Sequence, residues 1–224
     1  MMMGGLEPDT TAIAPIVGTI RPQLFGQLGA ALFLLACAEL PKNKHPLIWL
    51  PIVAMLWANL HGSILMGLAI LGAYAVGMTW NLVQEHGQKA ALVLRDKRFI
   101  IVWAALFLAL AGACVNPHGP ALLARIVFFG EHAALSSIME WRSLTPGSLT
   151  GMLMIASAGL TVLIFKTSPR KWELHEVLML LAFGLATLPA IRMIAWWAVV
   201  WPWVILPHAA AAWKKYQMSK TGEL

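Results

Sequence analysis

The stretch WANLHGSILMG, Trp57 to Gly67, decides the fold, because it sets Asn-Leu-His-Gly in the middle of an apolar run from Pro46 to Val83. That run is 38 residues long. As one straight helix it would reach about 57 Å, against a hydrocarbon core of about 30 Å. It must break, and Asn59–Gly62 is where the polar and flexible residues gather. Gly62 tolerates the positive φ of a tight turn, while Asn59 and His61 can meet water or cap exposed backbone groups. The reading is a helical hairpin turning near His61, with a short arm before it and a longer arm, Ser63–Val83, after it.

The same test applies to Leu174–Trp213, which is 40 residues long and would reach about 60 Å. Pro189 and Arg192 mark its break. An arginine at the bilayer centre costs about 2.5–3.5 kcal/mol on the insertion scale, which favours a turn near the interface.

With these two breaks the chain reads as an all-α, polytopic transmembrane bundle of about seven spans. They fall near 22–40, 46–60, 63–83, 99–115, 149–165, 174–189 and 193–210. Hydrophobic residues make up 59% of the chain and charged residues 12%, with mean hydropathy +0.73, which excludes an ordinary soluble domain. Tryptophans near the ends of apolar runs (Trp49, Trp80, Trp172, Trp213) suit the membrane interface. A net charge of +6 would suggest nucleic acid in a soluble chain. Here the cations occupy short segments between apolar runs and act as topology signals, so no nucleic-acid partner is expected.

Twelve lysines and arginines fall in the segments around 42–44, 89–98, 166–171 and 214–220, against four, Arg21, Arg125, Arg142 and Arg192, on the opposite side. The positive-inside rule then puts the C-terminus in the cytoplasm and the N-terminus outside. Residues 1–21 form a non-cytoplasmic segment without the basic region and apolar core of a signal peptide, read as a loop or a truncated start. Residues 22–213 form the bundle, with an outside loop at 116–147, and 214–224 a basic cytoplasmic tail. Cys37 and Cys114 lie in apolar runs without metal or disulfide spacing and read as small core residues.

In this topology the unusual polar groups collect on the outer face: IRPQLF (Ile20–Phe25), NLHG (Asn59–Gly62), VNPHG (Val115–Gly119), EWRS (Glu140–Ser143) and PAIR (Pro189–Arg192). An amphipathic piece, Ala121–Phe129, lies in the interface and roofs a cleft between the spans. His61 is either a local turn residue or a ligand contact, and Asn116-Pro117-His118-Gly119 is first a helix stop. Arg192 needs a carboxylate, a phosphate or water; Glu140 is its candidate partner, and an ion pair and an anionic ligand are equal alternatives. His61, His118 and His132 lack the spacing of a zinc site. Ala69, Ala73 and Gly77, four residues apart, read as a close-packing helix face. Glu85, His86 and Arg95–Arg98 read as a solvated, mixed-charge loop touching anionic lipid heads. No soluble-enzyme motif is present.

The order RPQLF, WANLHG, VNPHG, EWRS and an arginine just before a Pro-containing apolar span resembles the C-terminal half of bacterial GT-C-type membrane glycosyltransferases, which use polyprenyl-phosphate sugars. The resemblance runs from about Arg21 to Pro207. It implies a place in the bacterial cytoplasmic membrane and a polyprenyl-phosphate-linked sugar handled on the non-cytoplasmic face. Arg192 and Arg21 would hold a lipid phosphate, and His61 and His118 would orient phosphate or sugar hydroxyls. Asn59, Asn116 and Arg142 would complete the binding face, with Glu140 as the candidate catalytic acid. The family's acidic loop between two spans has no counterpart here, so catalysis by this chain alone is not expected. The residues name no cofactor. The divalent metal of the resemblance lacks visible acidic ligands. Membrane lipids are expected partners. The alternative function is a non-catalytic subunit packing against other membrane proteins. A transporter is disfavoured, because mid-span ionisable residues are scarce.

Overall fold

A computed structural model of the chain describes residues 23–129 and 141–221. Arg21, Glu140, His132 and the segment 1–21 lie outside the described residues. The described chain is helical: α1 Gln23–Glu39, α2 Pro46–Leu60, α3 Ile64–Glu85, α4 Ala90–Arg95, α5 Lys97–Ala113, α6 Ala121–Phe129, α7 Leu149–Thr167, α8 Leu174–Ala186 and α9 Ile194–Thr221, with one 3-10 turn at Ile191–Met193. Three helical stretches are long and apolar enough to cross a membrane: Ile64–Glu85, Leu149–Thr167 and Ile191–Lys220. Several others, α1, α2 and α8 among them, are shorter and apolar.

Local sequence sets the helix ends. Pro46 opens α2, where its missing N–H is harmless. Asp96 opens α5 by accepting from the backbone N–H of Arg98 at 2.8 Å, and Ser148 opens α7 by accepting from Gly151 at 3.0 Å. At the start of α8, Glu173 and Glu176 form a capping box. Both long apolar runs break where their length requires.

The turn at His61 is built differently from the expectation. Gly62 is not left-handed; among the described residues only Gly87, Gln88 and Gly119 have positive φ. His61 instead stops α2 by turning extended, with φ −156° and ψ 136°. The two arms do not form a tight hairpin either. α2 packs chiefly along α5 and touches α3 little, while α3 lies between α1, α5 and α8. The reason is steric: Gly112 brings α5 onto the Pro51 carbonyl of α2, where any side chain would collide.

The core lies among α1, α2, α3, α5, α8 and α9, around Phe33, Leu50, Trp57, Ile70, Leu71 and Val204. Of the proposed small-residue face, Gly77 is a close approach to His175 of α8, Ala73 is half-buried and Ala69 is exposed. Cys37 is buried, whereas Cys114, at the end of α5, is only half-buried. α7 stands at the margin on α9, its leucines and isoleucines largely exposed. Such outward apolar side chains are consistent with contact to membrane lipid. α9 runs on through Lys214 and Lys215 to Thr221, past the expected span end.

The loop at 85–98 is ordered by Asp96, which accepts from the Arg98 guanidinium at 2.9 Å and lies 3.1 Å from His86 Nε2. Arg98 also donates to Glu85 at 2.9 Å. These bonds, the Arg98 side chain foremost, hold the Asp96 carboxyl well below the usual carboxylate range.

Candidate functional site

The segments NLHG, VNPHG, WRS and PAIR converge at one end of the bundle. There a cavity of about 720 Å³ is walled by the start of α3, by α6 and by the turn before α9. Its polar lining is His61, Ser63, Arg125, Trp141 and Arg192; its apolar lining includes Leu122, Ile126 and Trp196. α6 roofs it, as its amphipathic sequence leads one to expect.

Each polar group is held by a local device. Leu144 donates from its backbone N–H to the Leu188 carbonyl and Ile191 to that of Arg142, both at 2.9 Å. This short ladder clamps residues 142–144 beside the turn following α8. It sets the Trp141 ring against Arg192, whose guanidinium carbon lies 4.5 Å from the ring centroid. Among the described residues no carboxylate pairs with Arg192. Arg125, on α6, donates to His118 Nδ1 at 3.2 Å. His61 is half-buried, and burial foremost, then the positive charge of Arg192, lowers its pKa below the ordinary histidine value. Both causes favour the neutral ring over the imidazolium.

The other sequence candidates fasten the cavity's rim and do not line it. Asn59 Nδ2 donates to the Met55 and Val115 carbonyls, both at 2.8 Å, tying the end of α2 to the end of α5. Asn116 Nδ2 donates to Ala113 and Gly119, and its Oδ1 accepts from the His118 backbone at 2.8 Å. That turn needs a left-handed residue, supplied by Gly119 at φ +55°. His118 reaches the site only through Arg125. The Arg142 side chain is exposed, and among the described residues its carbonyl acts, in the ladder.

Two contributors escaped the sequence reading. Arg125 stands in the sequence as a topology charge, and its place on the amphipathic α6 is the signal that could have found it. Trp141 needed the ladder, which no local pattern announces.

A second polar cluster, at the start of α8, was also missed. Glu176 is buried; it accepts from Arg170 at 2.7 Å and lies 3.0 Å from His208 Nε2. Trp172 stacks on the His208 ring at 3.9 Å, so this tryptophan is packed against α9 and not held free in the interface. Ser168 Oγ closes the chain 3.3 Å from His208 Nδ1. The cluster joins α8 to α9 and lines no described cavity, which marks it as a fastening.

The cavity's chemistry is one-sided. No Asp or Glu lines it among the described residues, and its side chains offer two guanidinium groups, indole and imidazole. This lining suits an anionic acceptor and does not fit a divalent cation. Among the described residues no three His, Cys, Asp or Glu side chains gather as a metal site. Comparison with protein-family models, with curated proteins and with solved structures finds no match, so these residues and their geometry carry the functional argument.

Proposed function

We propose that the chain is an integral membrane protein of seven spans whose outer-end cavity receives the phosphate of a lipid-linked substrate. In the reading that the sequence resemblance supplies, the ligand is a polyprenyl-phosphate-linked sugar and the chain is the C-terminal part of a GT-C-like glycosyltransferase. Glu140 is then the candidate acid and Arg21 a further phosphate contact. The positive-inside count supports the orientation, with the cavity outside and the basic C-terminal helix end in the cytoplasm. The observation that carries the reading is the lining itself: Arg125, Arg192 and His61 face an open, largely apolar space with no described carboxylate. An anionic head with an apolar tail satisfies both halves of that surface, since a guanidinium gives paired, charge-assisted bonds to phosphate.

The test is affinity for a short polyprenyl monophosphate and for the matching uncharged polyprenol, measured on protein in lipid nanodiscs. The phosphate should bind more tightly. Arg192→Lys should weaken it, because the planar fork is lost while the charge stays, and Arg192→Ala should weaken it further, by about tenfold or more. Equal affinity for alcohol and phosphate, or an unchanged affinity in Arg192→Ala, would end the phosphate reading. A second reading, a subunit of a membrane assembly, draws support from α7, which packs on α9 alone among its strong neighbours and leaves its outer face bare.

A further inference from the structure

Trp57 is buried behind the cavity wall, against Trp196. Its ring is 2% exposed and sits in a slot floored by Gly29 of α1 and Gly67 of α3, where side chains would collide with it. Phe33 meets it edge-on at 5.5 Å and Trp196 stacks on it at 6.2 Å. The ring is therefore fixed, and with it the direction of its one donor. Nε1–H donates to Ser63 Oγ at 3.1 Å.

Ser63 passes this order to His61. Its backbone N–H donates to His61 Nδ1 at 3.2 Å, and its Oγ lies 2.6 Å from the same nitrogen. A backbone N–H can only donate, so Nδ1 is the acceptor and carries no proton. The hydroxyl already accepts from the indole and sends its own proton to Nδ1. In neutral imidazole the remaining proton is then on Nε2, which makes no hydrogen bond within the described residues.

We propose that Trp57 and Ser63 are positioning residues that hold His61 as a neutral Nε2–H donor, so that it gives a hydrogen bond to an anionic oxygen in the cavity beside Arg125 and Arg192. The proposal rests on the phosphate reading of the cavity. It assigns His61 a donor's role and removes it as a base at Nε2. Protonation at Nδ1 would set it against the Ser63 backbone N–H and end the donation from the Ser63 hydroxyl, whose proton would have to turn away from the ring. The charged groups lining the cavity around His61, Arg125 from α6 and Arg192 from the turn before α9, oppose it as well.

The experiment is nitrogen-15 histidine NMR on the full chain in nanodiscs, with the His61 signal identified by its loss in His61→Gln. The wild-type ring should show Nε2–H in the neutral state. Ser63→Ala removes a donor to Nδ1 and should raise the pH at which His61 takes a proton, while Ser63→Thr, which keeps the hydroxyl, should restore the wild-type midpoint. Trp57→Phe should act like Ser63→Ala, and Ser63→Ala decides the matter should the core substitution fail to fold. In polyprenyl monophosphate binding, His61→Ala should lose about tenfold and His61→Gln, which can still donate, should lose less. A wild-type Nδ1–H form, or a midpoint that does not move in Ser63→Ala, overturns the relay even where the lipid phosphate binds. Failure of the wild type to bind the phosphate lipid at all, with the relay intact, defeats the phosphate reading and with it the ligand role given to His61.

Discussion

Two glycines of α3 separate what a residue contributes from what it looks like. Gly67 and Gly72 are indistinguishable in an apolar sequence. A Cβ on Gly67 would lie 2.5 Å from Trp57 Cζ3 and 3.1 Å from Phe33 Cδ1, whereas one on Gly72 would meet nothing within 4 Å. Gly67→Ala should therefore destabilise the protein by about 1–3 kcal/mol, the ordinary cost of overpacking. Gly72→Ala should be neutral or stabilise by up to about 1 kcal/mol through helix propensity. Thermal unfolding in one detergent compares the two directly; equal shifts would mean that the Trp57 slot is looser than described. The sequence could not rank these positions, because the partner that crowds Gly67 belongs to a different helix. The same limit explains the Ala69–Ala73–Gly77 face, where spacing predicted packing at all three positions and the neighbouring α8 reaches only the last closely.

At the scale of elements, chain length was the reliable signal. Two runs too long for a bilayer both break, at His61–Ser63 and at Thr187–Met193, within the polar stretches that the sequence offered. What was not legible was which helix each arm would choose as neighbour, since apolar faces look alike to one another and the choice rests on contacts such as Gly112 against Pro51. The attachment of α7 shows how few polar contacts can decide such a choice. Trp197 Nε1 donates to Ser157 Oγ at 3.0 Å and Trp201 Nε1 to Thr161 Oγ1 at 2.8 Å, two rungs each four residues apart on both helices. Interhelical bonds of this kind are worth about 0.6 kcal/mol on average in a membrane and up to about 1.7. Trp197→Phe and Trp201→Phe keep the apolar ring and lose the donor, so each should cost about that much. The double variant should show the added cost as faster proteolysis in the 142–148 connection, where α7 is entered. Unchanged proteolysis would show that apolar packing alone holds α7.

For the whole molecule, the polar motifs at the His61–Arg192 end were readable as a group, because breaking the two long runs sorts them to one end before any contact is known. Their division of labour was not. Asn59, Asn116 and His118 resemble ligand residues in the sequence, yet their hydrogen bonds go to the backbone and to Arg125, while Arg125 and Trp141 line the cavity through a helix and a ladder that join distant segments. The Arg170–Glu176–His208 fastening was hidden for a related reason: Arg170 and Glu176 look like loop and helix-start charges until α9 brings His208 onto the buried Glu176 carboxylate. The phosphate proposal requires that the donor-lined cavity at the His61–Arg192 end holds a phosphate and not merely an apolar chain. The most direct measurement is photo-crosslinking with a polyprenyl monophosphate that carries its reactive group next to the phosphate, followed by mapping of the modified peptides. The account predicts labelling within 121–129 and 191–196 that excess unlabelled phosphate lipid suppresses and the uncharged alcohol does not. Labelling confined to the exposed face of α7, or suppressed equally by the alcohol, would contradict it.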